Sequence, residues 1–356
     1  MRAIVSTGSD VMELKPDYPK PSPAAGFILI RVKAFTVHPS DIGGLKTPPT
    51  TMKFPRVWGS ECVGIVEDNG GLENIRIGSV VAALLGGLGR EIDGGWAEFV
   101  SVPYQHTYPL RIPLLDPTTP LDSLFWSRIA SIPRTFLSAF GILDSLHLKP
   151  KDRLLVRGGN SPLGLALINV AKHVGASVAV TTTDPTKAPL LSEVGADFVV
   201  LEREGGVVDD VKMFYDSDYG GKGGVGGKAG KGSSMGGPSG AGADKIADLL
   251  DSTLSDSLAS LRPGGVCCLL HSGVSKLSSA PLPPPGTYLT TFDPASVELH
   301  RAPLQEIVER CVKGVYRVPV AKCIGLEDVV SWVLAGGEGK EGTDVEGSVV
   351  CFVGEA

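Results

Sequence analysis

A chain of 356 residues is long enough to form two domains, each with its own buried core. Its hydrophobic content of 42%, charged content of 20% and net charge of −6 are ordinary for a globular protein, and they give no electrostatic reason to expect nucleic acid or an anionic membrane as a partner. No apolar run approaches the roughly 20 residues that a membrane-spanning helix needs.

The start of the chain and its cysteines indicate a reducing compartment. Residues 1–5 enter a strand-like pattern without the basic start, apolar stretch and cleavage site of a signal peptide. The cysteines form no C-x-x-C pair, and four of them fall in apolar runs, so we expect free thiols and a cytoplasmic protein. The six cysteines are Cys62, Cys267, Cys268, Cys311, Cys323 and Cys351.

The first part of the chain, to about residue 110, contains short β-prone runs separated by glycine and proline. The clearest runs are residues 27–35, 61–68, 78–85 and 96–102. They predict a β-rich first domain.

From about residue 124, strand-like and helical patterns alternate. This alternation predicts a parallel, doubly wound sheet of the Rossmann type. The predicted strands are residues 153–157, 177–183, 198–201 and 266–270, with a last strand at 348–353. Besides a helix after the first of these strands, the predicted helices are residues 187–193, 243–250 and 303–312.

A glycine-rich insertion interrupts this second region at residues 220–242, where 12 of 23 residues are glycine. Such a composition cannot bury enough apolar surface to offset its ordering entropy, which predicts a flexible loop. A phosphate-binding role is the alternative. The segment lacks the preceding strand and following helix start that such a loop requires.

The most informative stretch is Leu-Leu-Val-Arg-Gly-Gly-Asn-Ser-Pro-Leu-Gly at residues 154–164. A strand runs into a glycine-rich turn that opens a helix, with Ser161 as the predicted N-cap and Pro162 at the first helical position. Gly175 is predicted to end this helix. Its predicted apolar face consists of Leu163, Leu167, Val170 and Val174.

Unpaired backbone N–H groups at such a helix start can accept a dinucleotide pyrophosphate. Ser161 replaces the middle glycine of the usual fingerprint, and a structural turn without a ligand is the alternative. The predicted cofactor-binding residues of the turn are Gly158, Gly159, Asn160, Ser161, Pro162, Leu163 and Gly164.

The end of the next strand should meet the adenosine ribose of the cofactor. Thr182, Thr183 and Lys187 favour the 2′-phosphate of NADPH, whereas Asp184 favours the free 2′-hydroxyl of NADH. The balance of these residues predicts NADPH.

Four further stretches carry a resemblance to one family. Residues 37–41 resemble its Asn-Pro-x-Asp segment, and residues 55–66 contain its Gly-x-Glu-x-x-Gly-x-Val signature. Residues 94–99 resemble the Gly-Gly-aromatic-Ala-Glu segment of its N-terminal barrel, and residues 258–265 resemble the turn before its fifth nucleotide-domain strand. Along nearly its whole length the chain is similar to the zinc-free quinone oxidoreductases and enoyl reductases of the medium-chain dehydrogenase/reductase superfamily.

The resemblance implies an α/β protein with a GroES-like β-rich domain and a Rossmann domain with a doubly wound parallel sheet. The first domain would span residues 1–124, completed by 295–356, and the nucleotide-binding domain would span 125–294. The active site is expected in the cleft between them. The β-prone run 286–292 corresponds to a strand that can pair across a dimer in relatives, so both a homodimer and a monomer stay open.

The resemblance also implies that this chain lacks a metal. Zinc-dependent relatives carry a Cys near position 38, a His near position 60 and a third ligand near position 132, where this chain has His38, Ser60 and Ile132. A single His cannot form the three-ligand site of a catalytic zinc. Hydride transfer to a conjugated acceptor is then easier than reduction of a simple carbonyl, because the resulting anion is delocalised.

By their places in the family segments, Ser40 and Ser138 are expected to face the nicotinamide, and His271 and Ser272 are expected to line the same end of the site. His38 is a candidate proton donor, with a structural role as the alternative. The carboxylates of Asp41 and Glu61 are expected to be structural hydrogen-bonding groups. The candidate catalytic residues are therefore His38, Ser40 and Ser138.

These patterns predict an NADPH-dependent reductase of an enone, an enoyl thioester or a quinone, in a secondary-metabolism setting. A carrier protein presenting the thioester is an alternative partner, for which Arg128, Arg134, Lys149 and Lys151 are candidate contacts, although charges at such positions more often form a solvated face. The competing functions are a catalytically inactive scaffold that still holds nucleotide and a non-redox role in biosynthetic cyclisation.

Overall fold

A computed structural model describes most of the chain, and the described residues form two compact units. The first unit combines Met1–Leu137 with Glu298–Ala356, and the second is Ser138–Val297. The domain boundaries expected above stay a prediction. The described residues are 1–111, 122–203, 206–216, 240–250, 253–270, 283–294, 303–335 and 348–353.

The described residues contain strands throughout both units, with helices concentrated after residue 122. The strands are β1 (Ala3–Gly8), β2 (Val11–Lys15), β3 (Phe27–Thr36), β4 (Arg56–Val57), β5 (Glu61–Asp68), β6 (Val80–Leu84), β7 (Phe99–Pro103), β8 (Thr107–Pro109), β9 (Arg153–Arg157), β10 (Ser177–Thr182), β11 (Phe198–Leu201), β12 (Ala243–Asp248), β13 (Leu261–Leu270), β14 (Tyr288–Phe292), β15 (Val320–Gly325) and β16 (Ser348–Phe352). The α-helices are α1 (Pro39–Lys46), α2 (Ser123–Ala130), α3 (Pro133–Ser145), α4 (Pro162–Val174), α5 (Ala188–Val194), α6 (Val207–Tyr215), α7 (Leu254–Ala259), α8 (Leu304–Val312) and α9 (Val329–Leu334).

The first unit is built on a seven-stranded sheet in the order β15-β16-β3-β5-β6-β8, with β7 also paired to β3. Only the pairing of β15 with β16 is parallel. Alternate residues of β3 point to one face, and Ile28, Ile30 and Val32 are thereby buried in the core. Phe35 stacks on Trp96 in the same core, with ring centroids 5.5 Å apart. The β-rich first region predicted from the sequence is confirmed.

The second unit is a six-stranded parallel sheet in the order β11-β10-β9-β12-β13-β14. Numbered within the unit, this order is 3-2-1-4-5-6, which is the order of the Rossmann fold. Strands β10 and β11 are added on one side of β9, whereas β12, β13 and β14 are added on the other side. Ligands of such sheets bind at the carboxyl ends of the strands, at the switch point between the two sides. The predicted doubly wound parallel sheet is confirmed.

One predicted helix is wrong. Residues 243–250 were expected to be helical, but Ala243–Asp248 forms the central strand β12. Ile246 is fully buried and pairs with Leu155 of β9 on one side and Cys267 of β13 on the other. Two neighbouring strands therefore override the local preference of a short Ala-, Asp- and Lys-containing segment.

Helix α4 begins and ends as predicted but is buried more completely. Ser161 is its N-cap, Pro162 its first residue, and Gly175 ends it in the left-handed conformation. The predicted single apolar face is too narrow, because every residue from Gly164 to Ala171 is buried. Burial of eight consecutive residues is typical of a helix that packs on several sides.

The cysteines are free thiols, as predicted. Cysteines 62, 267, 268 and 351 are buried and free, Cys311 is partly buried, and Cys323 is exposed. None of the helices in the described parts of the chain is long and apolar enough to cross a membrane. Residues 220–239 of the glycine-rich insertion lie outside the described residues.

Candidate cofactor site and active site

The glycine turn lies at the carboxyl end of β9, beside the switch point of the parallel sheet. Ser161 Oγ accepts a hydrogen bond from the Gly164 N–H at 3.1 Å and donates to the Gly158 carbonyl at 2.8 Å. The serine therefore closes the turn and caps helix α4 at once. Among the described residues no hydrogen bond engages the Leu163 N–H, which leaves a donor at the positive end of the helix for an anionic group.

Two glycines of this turn are required by its backbone. Gly158 has a φ of +82°, a conformation that side chains rarely allow. A Cβ atom on Gly164 would lie 2.5 Å from the Gly158 carbonyl oxygen and 2.7 Å from the Gly159 Cα. The first turn of α4 can therefore approach the strand only because residue 164 is glycine.

The end of β10 holds the predicted ribose-binding residues in a tight turn. Asp184 Oδ1 accepts hydrogen bonds from the backbone and the hydroxyl of Thr186, at 2.8 and 2.7 Å. These hydrogen bonds lower the pKa of Asp184, and the nearby Lys187 ammonium, 3.8 Å away, adds to the effect. Thr182 is buried and its hydroxyl bonds to the backbone of Asp184, whereas Thr183 is exposed.

A second group of polar side chains converges in the first unit. His38 is the N-cap residue of α1, Ser40 and Asp41 follow in its first turn, and Glu61 begins β5. His38 Nε2 lies 2.5 Å from Glu61 Oε1, and because a carboxylate only accepts, Nε2 carries the hydrogen. Glu61 Oε2 accepts the backbone N–H of Arg134 at 3.1 Å. Glu61 thus joins α1 to the start of α3.

The guanidinium of Arg134 lies in the middle of this group, which we call the polar cluster: His38, Ser40, Asp41, Ser60, Glu61 and Arg134. The guanidinium donates to Ser60 Oγ, to Ser40 Oγ at 2.8 Å and to Asp41 Oδ1 at 3.3 Å. The Arg134 side chain is 11% exposed, so it does not form the solvated face that was one expectation for this residue. Asp41 and Glu61 both make hydrogen bonds within the cluster, and their purely structural role stays a prediction.

Two family models match the chain. The alcohol dehydrogenase GroES-like domain matches residues 24–112, and the zinc-binding dehydrogenase domain matches residues 162–289. Together the two matches cover more than half of the chain. The protein belongs to the medium-chain dehydrogenase/reductase superfamily. This superfamily consists of oxidoreductases that bind a nicotinamide cofactor, and the predicted pairing of a GroES-like domain with a Rossmann domain is confirmed.

Individual relatives within the superfamily are distant. The zinc-type alcohol dehydrogenase-like protein of Schizosaccharomyces pombe is 28% identical over 232 residues, which are 61% of this chain and 62% of that protein. The quinone oxidoreductase of Rattus norvegicus is 26% identical over 211 residues, 58% of this chain and 59% of that protein. The matches thus span less than two thirds of the length of these curated relatives. A mycobacterial protein solved in complex with NADPH is 25% identical, has a TM-score of 0.70 and is covered over its full length by 99% of this chain.

The zinc ion of the zinc-dependent superfamily members does not fit the polar cluster. Ile132 is completely buried and offers no ligand atom, and His38 Nε2 is engaged by Glu61. The oxygen atoms that could serve as metal ligands, on Ser40, Asp41 and Ser60, already accept hydrogen bonds from the Arg134 guanidinium. In the part of the chain that the structure describes, no group of three or more His, Cys, Asp or Glu residues could hold a metal ion.

Sequence reasoning missed a buried ionic network beside the glycine turn. Arg157, the last residue of β9, has no exposed side-chain surface and donates to both Glu202 oxygens at 2.7 and 2.6 Å. It also donates to Ser257 Oγ at 3.1 Å, and that hydroxyl donates to Asp248 at 2.7 Å. Burial raises the pKa of Asp248, although the hydrogen bond from Ser257 opposes this. The network fixes the carboxyl ends of β9 and β12. The sequence contains one indication of this network. Arg157 ends a strand that is predicted to be central, and a charged side chain buried there needs a partner of opposite charge.

The remaining predicted residues are not brought into these groups. Ser138 is buried on α3 and belongs to the second unit. His271 and Ser272 lie outside the described residues. The structure therefore assembles the turn residues 158–164 in one place and His38 with Ser40 in another.

Proposed function

We propose that this protein is an NADPH-dependent reductase that transfers a hydride to an activated carbon–carbon double bond or to a quinone without a zinc ion. The observation that carries the proposal is the capped glycine turn at the switch point of a 3-2-1-4-5-6 sheet. The likeness to a quinone oxidoreductase supports the acceptor class, and the lack of fit for zinc supports the mechanism.

The cofactor residues divide by the part of the dinucleotide that they hold. Residues 158–164 hold the pyrophosphate at the start of α4, where backbone donors and the helix dipole favour an anion. Lys187 binds the 2′-phosphate. Asp184 is committed to Thr186 and Lys187, so it is a poor acceptor for the 2′-hydroxyl that NADH would present. Ser138, His271 and Ser272 are proposed to line the nicotinamide.

When bound, NADPH supplies a hydride and becomes NADP⁺. The acceptor gains two electrons and needs one proton, which goes to the enolate or to the hydroquinone anion. His38 is the proposed donor of this proton through Nδ1, because its Nε2–H is held by Glu61 at 2.5 Å, which fixes the ring. The doubly protonated ring then becomes the neutral imidazole that keeps its hydrogen on Nε2. Ser40, exposed in the first turn of α1, is the proposed hydrogen-bond donor to the developing oxyanion.

The substrate class follows from these groups. A conjugated acceptor spreads its negative charge, so one hydroxyl and one imidazole suffice where a simple ketone would require a stronger electrophile. An enone, an enoyl thioester and a quinone all meet this condition. A carrier protein that presents the thioester, and a homodimer formed through the sheet edge at β14, remain proposals beside the small-molecule substrate and the monomer.

The first test is a fluorescence titration with NADPH and NADH, followed by turnover with a quinone and with a short enoyl thioester. We expect NADPH to bind more tightly and to be consumed with at least one acceptor. Failure to bind either nucleotide would overturn the proposal. Binding without turnover would favour a nucleotide-holding scaffold.

A pair of lysine variants tests the assignment of NADPH. Lys187→Ala should raise the Kd for NADPH about tenfold, equivalent to about 1.4 kcal/mol, and leave the Kd for NADH unchanged. Lys212→Ala, on α6 of the same unit, is the matched control and should change neither. An equal increase in the Kd for NADPH and the Kd for NADH in Lys187→Ala would contradict recognition of the 2′-phosphate by Lys187.

A further inference from the structure

The polar cluster contains a buried cation whose partners are all oxygen atoms. Arg134 donates to the hydroxyls of Ser40 and Ser60 and to the carboxylate of Asp41. Hydroxyl and carboxylate oxygens are also the preferred ligands of hard metal ions. The guanidinium therefore makes the contacts that a bound metal ion would make.

Asp41 depends on this guanidinium. It is 4% exposed, and its Oδ2 atom is buried without a hydrogen-bond partner in the described residues. Within the part of the chain that the structure describes, Arg134 is the one charged partner of Asp41, and its Nη1 lies 3.3 Å from Oδ1. A second cation beside Asp41 would lie against the Arg134 charge in a poorly solvated place, where like charges repel strongly. Arg134 thus both neutralises Asp41 and excludes a metal ion.

The hydrogen bond from Arg134 also determines how the Ser40 hydroxyl can act as a donor. Because Nη2 donates to Ser40 Oγ at 2.8 Å, the single hydroxyl hydrogen of Ser40 is left for another acceptor. Ser40 is exposed, so that acceptor can be a ligand. A hydroxyl that accepts from a cation becomes a stronger donor, since the charge polarises its O–H bond.

We propose that Arg134 is the permanent cation of the polar cluster in place of a metal ion, and that it positions the Ser40 hydroxyl to stabilise negative charge on the substrate oxygen. Arg134 is a positioning residue, because it acts through Ser40. The role of Ser40 rests on the proposed function, whereas the replacement of a metal by Arg134 does not.

The first experiment needs no turnover. Arg134→Ala leaves a space for a small replacement cation, so about 20 mM guanidinium should raise its Tm by a few degrees and leave wild-type protein and Arg76→Ala unchanged. Arg76 is an exposed arginine of the same unit and serves as the matched control. Wild-type protein incubated with Co²⁺ and dialysed should retain less than about 0.1 equivalent and show no d–d absorption band.

Stoichiometric Co²⁺ in the wild-type protein, or an Arg134→Ala variant whose Tm does not respond to guanidinium, would overturn the cation assignment. If Arg134→Ala does not fold, Arg134→Lys takes its place. Lysine keeps the charge but not the fork of donors, so this variant should bind no Co²⁺ and should fold. Uptake of Co²⁺ by Arg134→Lys would overturn the assignment equally.

The second experiment measures kcat, KM and the Kd for NADPH with an acceptor that the wild-type protein reduces. Arg134→Ala should lower kcat by about 30-fold or more with little change in either binding constant, and guanidinium should restore part of the loss. In a Ser40→Ala background, Arg134→Ala should lower kcat little further, because Arg134 acts through the Ser40 hydroxyl. Additive losses would overturn the role of Ser40. If the wild-type protein turns over no acceptor, the proposed function fails, and the Co²⁺ and Tm results still decide the role of Arg134.

Discussion

The glycine turn of the second unit and the polar cluster of the first differ in how their residues are brought together. The turn is one continuous segment, residues 158–164, and its contacts join residues three apart. The cluster combines residues 38–41, 60–61 and Arg134, which are separated by up to 96 positions in the chain. The turn depends on backbone geometry, whereas the cluster depends on side-chain charge.

This difference predicts different responses to substitution. A change in the turn is expected to alter local backbone packing and, under the proposed function, the affinity for the nucleotide. A change in the cluster leaves a buried charge without its partner, which is the more costly defect. The variants below test this difference, from the largest expected effect to the smallest.

Arg134→Met should have the largest effect on stability. It removes the partner of a nearly fully buried Asp41 carboxylate, and breaking such a pair costs about 3–5 kcal/mol. The free energy of unfolding, measured with urea, gives the result. Arg76→Met should change it by less than about 0.5 kcal/mol, because that side chain is exposed. Equal free energies of unfolding for the two variants would contradict a stabilising role of the Arg134 charge in the cluster.

Gly164→Ala should be less costly for stability but damaging to nucleotide binding. The new Cβ atom would meet backbone atoms at 2.5 to 2.7 Å, so α4 must shift, at a cost of about 1–3 kcal/mol. We expect weaker NADPH binding in the same fluorescence titration. Gly43→Ala is the matched control, since Gly43 is also helical but has nothing within 4 Å of its Cβ position. It should be neutral or stabilising by up to about 1 kcal/mol.

Substitutions of Ser161 test the helix cap independently of the glycine residues of the turn. Ser161→Ala removes the hydrogen bond to the Gly164 N–H and should destabilise the protein by about 1 kcal/mol. Ser161→Asp should restore the cap but not the hydrogen bond that Ser161 Oγ donates to the Gly158 carbonyl, so stability should recover in part. Its negative charge at the proposed pyrophosphate site should weaken NADPH binding. Wild-type affinity for NADPH in Ser161→Asp would contradict an anion at this helix start.

Glu98→Gln should have the smallest effect and a pH dependence. Burial raises the pKa of Glu98, but its hydrogen bonds to the backbone and side chain of Arg2, at 2.7 and 2.9 Å, outweigh this and leave the pKa lowered. A carboxyl group with a lowered pKa stabilises the fold above the pKa of the unfolded chain, and this contribution is lost as the pH falls. The stability difference between wild type and Glu98→Gln should therefore be present at neutral pH and shrink below about pH 4.5. A difference that grows in acid would contradict the direction of the shift.

The sequence was sufficient to predict what is local. Ser161, Pro162 and Gly175 mark the ends of α4, because caps and left-handed glycines act within a few residues. The alternating elements predicted the parallel sheet. The helix predicted at 243–250 was wrong because the strands on either side of β12, which override local propensity, are distant in the chain.

The candidate site was predictable only in part, for the same physical reason. His38 and Ser40 were identified from a short segment, but their partners Glu61 and Arg134 come from other elements. The local sequence is compatible with a solvated Arg134, since a single arginine in a helix gives no sign of the carboxylate it will meet. The network around Arg157 was missed because its partners Glu202 and Asp248 follow or end different strands.

For the reductase of quinones or enones proposed above, the buried cysteines have a chemical consequence. Both are electrophiles that alkylate thiolates, and the thiolate is the reactive form of cysteine. Burial raises the pKa of every cysteine in the chain, to about 12 for Cys268 and Cys311, and even the exposed Cys323 shifts in this direction. At neutral pH we therefore expect these thiols to stay protonated, which would slow their alkylation by such substrates.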